Sequence, residues 1–73
     1  MIDSKALSKI IFDRNLSQRK VAHHLGITEK TFYSKMKKGV FDSDEIEEMI
    51  KFLGITEPMP VFFPNFVTQQ VTN

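Results

Sequence analysis

Two glycines, Gly26 and Gly39, cut the stretch LSQRKVAHHLGITEKTFYSKMKKG (16–39) into two short apolar-periodic runs, and no other part of the chain is so restrictive. In the first run Val21, Ala22 and Leu25 fall at i, i+1 and i+4, one face of a 3.6-residue period. Ser17 stands just before them, where a hydroxyl accepts from the free amides of a first helical turn. Gly26 follows them, where a helix commonly ends in the left-handed region that glycine enters cheaply. Two residues later Thr28 offers a second N-cap, and a helix starting there buries Phe32 and Met36 before Gly39 stops it. So brief a connection makes the two helices cross steeply, as in a helix-turn-helix. With Ile27, Phe32 and Met36 inward, Glu29, Lys30, Tyr33, Ser34 and Lys37 face outward. A helix bearing such a face can enter the major groove of DNA and meet base edges with its N-terminal residues.

Helices flank this pair. The first is expected over about 4–14, capped by Asp3 or Ser4, with Leu7, Ile10, Ile11 and Arg14 along one side and Asn15 as a left-handed stop. Phe12 lies off the Leu7–Ile10 stripe and is expected to be partly exposed, as is Ile11. The central pair spans about 17–25 and 28–38. Val40 and Phe41 connect it to a fourth helix, 43–53, which Asp42 and Glu45 start in a capping-box pattern. That helix buries Ile46, Met49, Ile50 and Leu53, carries a Glu47–Lys51 pair outside, and stops at Gly54. These elements make residues 1–55 one all-α domain of four to five helices.

Beyond Ile55 the character changes. Pro58, Pro60 and Pro64 forbid a helix of any length, yet Met59, Val61, Phe62, Phe63, Phe66 and Val67 are very apolar. Residues 56–73 therefore read as an irregular or strand-like Phe-rich extension packed on the domain or at an interface. Phe62 is the expected plug for the open end of the core, and Phe66 to Val71 has strand-like composition. So many phenylalanines exceed what a small core hides, which marks Phe12, Phe41, Phe63 and Phe66, with Tyr33, as candidate protein-interface residues.

Charge is distributed unevenly. The net charge is only +1, but residues 1–41 hold nine cations against three acids, a balance of +6, and residues 42–73 one cation against six acids, a balance of −5. A chain so polarised can turn one face to phosphates while its other end repels them. The absence of cysteine fits a reducing, intracellular home and rules out disulfides and thiolate metal sites. There is neither a secretory signal pattern nor an apolar run of membrane-spanning length. Adjacent His23 and His24 point about 100° apart on a helix, with no carboxylate at i+3 or i+4, so they read as ordinary imidazoles and no metal or cofactor is expected. Without a Gly-rich phosphate loop or a His–carboxylate cluster, nothing points to an enzyme or a small-molecule substrate.

The run LSQRKVAHHLGITEKTFYSKM resembles the helix-turn-helix of lambda-repressor-like (phage repressor and Cro) domains, with Leu16, Ser17, Gln18, Val21, Ala22, Leu25, Gly26, Ile27, Thr28, Thr31 and Phe32 carrying the likeness. The segments KMKKGVFDSDEIEEMIKFLGI and PVFFPNFVTQQV resemble a narrower group of small phage Cro-like proteins with an F-x-x-x-E-I helix start and a Phe-rich tail. In its shortness the chain is also similar to the modulator-of-repression antirepressors of lactococcal temperate phages. The resemblance implies a lambda-repressor-like fold and a place in a lysis–lysogeny switch in the cytoplasm of a bacterial host. It implies that Gln18 binds a phosphate, that Glu29, Lys30 and Ser34 lie toward base edges, and that Lys35, Lys37 and Lys38 lie toward the backbone, with Thr28 at the start of the reading helix. Glu29 could then accept from cytosine and Lys30 donate to guanine. This sequence departs from the pattern in having no arginine or asparagine on the recognition face, and in Tyr33 and Phe41, which make that surface stickier for protein.

Two functions stay open at this point. One is a regulator that binds double-stranded operator DNA, as a homodimer or beside a repressor. The other is an antirepressor whose helix-turn-helix face and aromatics dock on a phage repressor and cover its DNA-reading helix. The basic first half favours the former; the near-zero net charge, Tyr33 and the surplus phenylalanines favour the latter.

Overall fold

The computed structural model describes residues 1–66. Five helices follow one another in the order α1 (Ser4–Asp13), α2 (Gln18–Leu25), α3 (Glu29–Lys38), α4 (Ser43–Leu53) and α5 (Met59–Phe62), and a further helical turn covers 64–66. Local hydrogen bonds explain where the helices begin. The side chains of Asp3, Ser17 and Thr28 accept from the backbone N–H groups of Ala6, Lys20 and Thr31, and Asp42 and Glu45 close a capping box. Left-handed residues end them: Asn15 at φ 58° just beyond α1, then Gly26 at φ 75° and Gly39 at φ 72°.

The core is built around Leu7, Val21, Phe32, Met49 and Leu53, all fully buried, and among the described residues no buried side chain is polar or charged. α2 packs on α1, α3 and α4, so it is the hub, while α5 packs on α1. Two tertiary hydrogen bonds lay the N-terminal segment between the end of α3 and α5: Ile2 N–H donates to the Gly39 carbonyl at 2.9 Å, and Asp3 N–H to the Val61 carbonyl at 2.7 Å. A third, from the Ser4 hydroxyl to the Met36 carbonyl at 2.6 Å, ties the start of α1 to the last turn of α3. Gly39 is buried there at φ 72°, a left-handed dihedral that glycine enters cheaply, and a Cβ would in addition push aside the exposed Met1 side chain, 2.6 Å away.

Three expectations need correction. Ile11 is only 3% exposed, because Leu7 and Ile11 at i, i+4 form the inward row of α1, while Ile10 is half-buried at its edge. Phe41 is also in the core, 8% exposed, with its ring centroid 5.4 Å from that of Phe32. Val40 takes the outward position and Phe41 the inward one, so Phe41 leaves the interface candidates. The prolines do not keep 56–66 irregular: Pro58 and Pro60 stand at the start of the single turn α5, where a missing N–H costs nothing. Val61 and Phe62 on that turn are buried, so the extension completes the core as expected for Phe62. Phe66 lies in the turn 64–66 and not in a strand; the rest of the stretch read as strand-like lies outside the described residues.

Candidate nucleic-acid interface

Phe32 and Met36 anchor α3 by one side, which decides what its other side presents. Two rows spaced i, i+4, i+8 face outward: Glu29, Tyr33 and Lys37, and beside them Lys30, Ser34 and Lys38. All six are exposed, and Tyr33 is 61% exposed in the middle of the helix. Thr28 takes a different part. Its hydroxyl accepts from Thr31 N–H at 3.1 Å and donates to Thr31 Oγ1 at 2.9 Å, so its polar groups serve the cap. Gln18, the first residue of α2, is half-buried, and its amide makes no side-chain hydrogen bond among the described residues.

Lysine by lysine, the expected cations separate. Among the described residues Lys30, Lys37 and Lys38 form no ion pair, nor do Arg19 and Lys20 on α2. Lys35 is different. Its ammonium donates to both carboxylate oxygens of Glu45 at 2.8 Å and lies 3.5 Å from Asp42. The hydrogen bond that Lys35 donates to Glu45 outweighs desolvation and holds the ammonium's pKa above the ordinary lysine value of 10.5. Expected to lie toward the DNA backbone, Lys35 instead ties α3 to the start of α4.

Sequence reasoning also passed over a depression between the N-terminal half of α2 and the start of α3. It is open, about 630 Å³, and lined by Ser17, Arg19, Lys20, His23, Ile27 and Glu29. Arg19 and Lys20 were counted in the charge balance but assigned no role. The available signal was their position two and three residues after the Ser17 cap, beside the turn that leads into α3.

Arg14, also basic, belongs to neither group. Its Nε donates to the Leu53 carbonyl at 2.7 Å and a terminal nitrogen to the Gly54 carbonyl at 3.4 Å, so α1 caps the end of α4. The two histidines diverge as their spacing requires. His24 stacks on Phe52 with centroids 3.9 Å apart, its Nε2 3.4 Å from Glu48, whereas His23 opens into the depression. Among the described residues no group of three or more His, Cys, Asp or Glu is placed to hold a metal ion.

Of the aromatic interface candidates, Phe12 is 78% exposed, Phe63 49% and Phe66 51%. No helix among the described residues is long and apolar enough to cross a membrane. No protein-family model matches this sequence, and neither a curated protein nor a solved structure matches it.

Proposed function

We propose that this chain is a small transcription regulator of the phage repressor and Cro type, in which α2 and α3 form a lambda-repressor-like helix-turn-helix and α3 reads operator DNA, alone or together with a repressor. The observation that carries this reading is the concentration of the unpaired cations. Among the described residues five of the six, Arg19, Lys20, Lys30, Lys37 and Lys38, stand on α2 and α3 and the sixth, Lys5, on α1, while Lys9, Lys35 and Lys51 are ion-paired and Arg14 caps a helix. A helix about 10–12 Å across with its side chains fits a major groove about 12 Å wide, and the ten residues of α3 give it about 15 Å of length to lie there. In that groove Glu29, Lys30 and Ser34 meet base edges near the helix start. Lys37 and Lys38 reach the phosphates, and Gln18 meets one from the start of α2. The setting is a lysis–lysogeny switch in the bacterial cytoplasm, and a homodimer would read two half-sites about one DNA turn apart.

Anisotropy titrations of labelled duplex DNA test this. Binding should weaken steeply as salt rises, and Lys30→Ala with Ser34→Ala should weaken it further at every salt concentration. A protein that binds no duplex at low salt is not such a regulator.

The exposure of Tyr33 at the centre of α3 favours a second reading, an antirepressor that uses this face and exposed Phe12, Phe63 or Phe66 to cover a repressor's DNA-reading helix. Tyr33→Ala should then abolish capture of a purified phage repressor while circular dichroism stays unchanged. Undiminished capture would remove that reading.

A further inference from the structure

The depression between α2 and the start of α3 has a composition that the reading helix alone does not explain. Arg19 and His23 are spaced i, i+4, and Lys20 and His23 i, i+3, so three basic side chains of α2 share one rim. Neither Arg19 nor Lys20 is ion-paired among the described residues. Across the depression stands Glu29, and no charged side chain of α1 or α4 lines it. A carboxylate at that edge repels an anion and confines it to the α2 side, between Arg19, Lys20 and His23. The neighbouring His24 offers the contrast: it is turned to α4, where Phe52 and Glu48 already occupy it.

Resting on the reading that α3 enters duplex DNA, we infer that this depression seats a backbone phosphate of the same duplex and that His23 makes DNA binding proton-linked. Imidazole is the side chain that changes charge between pH 5 and 8. Neutral, it donates through one nitrogen; protonated, it donates through both and adds a positive charge facing the phosphate. The charged groups around His23 are Arg19 and Lys20 from its own helix and Glu29 from α3. None of these changes sign when the phosphate arrives, so the added anion favours the protonated ring. The bound state therefore holds the proton more tightly than the free state. Affinity thus rises as pH falls. Each pH unit by which binding favours the protonated ring corresponds to roughly a tenfold gain.

The test compares wild type, His23→Gln and His24→Gln in anisotropy titrations of one random-sequence duplex at about pH 6 and about pH 8, at fixed ionic strength. Wild type and His24→Gln should bind roughly tenfold more tightly at the lower pH, and His23→Gln should lose most of that difference. His23 is exposed, so its variant should keep the wild-type helical circular dichroism. Inorganic phosphate distinguishes a seat for free anion from one that needs the duplex: millimolar phosphate should leave the His23 ring resonances of the free protein unmoved, whereas adding duplex should shift them. An equal pH dependence in wild type and His23→Gln overturns the inference and leaves DNA binding standing. Phosphate shifting the ring as strongly as duplex does overturns the assignment to a DNA phosphate. Wild type that binds no duplex at either pH overturns the functional reading, and this inference with it.

Discussion

α1 and α4 pair most of their charges with other groups of the chain, whereas α2 and α3 leave most of their cations unpaired; Lys5 on α1 and Lys35 on α3 are the exceptions among the cations of the described residues. On α1, Lys9 pairs with Asp13 at 3.2 Å and Arg14 holds the last carbonyls of α4; on α4, Glu47 pairs with Lys51 and Glu45 with Lys35. On α2 and α3, Arg19, Lys20, Lys30, Lys37 and Lys38 have no ionic partner among the described residues. The difference teaches that the sign of a charge in the sequence says less about its use than the partner it finds. A balance of +6 over residues 1–41 mixes cations that staple helices with cations that face outward. Exposed ion pairs add little to stability, so the unpaired group is not balanced by any great gain elsewhere.

The severest way to break the comparison is to remove the anchor that turns the cations outward. Phe32→Ala should destabilise the protein by about 3–5 kcal/mol, because a fully buried ring against Phe41 is lost and a cavity remains. Urea unfolding would measure it, and a cost below about 1 kcal/mol would mean that α3 is not held by this ring. A smaller effect should separate two basic residues. Arg14→Ala should cost roughly 1 kcal/mol through the lost bond to the Leu53 carbonyl and leave DNA affinity unchanged. Lys37→Ala should stay within about 0.5 kcal/mol of wild type in stability and lower DNA affinity several-fold. Equal effects on both properties would erase the distinction between the two residues.

The smallest expected effect concerns Lys35. Its folded-state pKa lies above the unfolded value, so the protonated form contributes stability that is fully present below pH 10.5 and is lost as pH rises through the raised value. Denaturation midpoints followed into alkali should therefore fall more steeply for wild type than for Lys35→Met. Parallel curves would show that Glu45 does not hold this ammonium in solution.

What could be read in advance was local. Ser17, Thr28 and Asp42 cap helices through bonds spanning three residues, and Gly26 and Gly39 end them through their own dihedrals, so a linear pattern suffices. The outward set Glu29, Lys30, Tyr33, Ser34 and Lys37 followed from helical periodicity alone. What could not be read depends on chain reversals. Phe41 reaches the core only after Gly39 turns the chain back over Phe32. Lys35 meets Glu45 because the same reversal sets the start of α4 beside the end of α3, and Arg14 meets Leu53 across 39 positions of sequence. Periodicity gave Ile11 two readings, and the packing of α1 against its neighbours selected the buried one. The depression escaped notice for a similar reason: it joins residues of two helices, and neither helix alone marks it.

One titration bears most directly on the claim that the unpaired cations of α3 hold DNA. The logarithm of duplex affinity should fall linearly with the logarithm of salt concentration, by about 0.9 for each phosphate neutralised. Replacing Lys30, Lys37 and Lys38 together by alanine should flatten that slope by about one for each lysine that reaches a phosphate, with the fold intact. An unchanged slope in that variant, or wild-type binding indifferent to salt, would contradict the account.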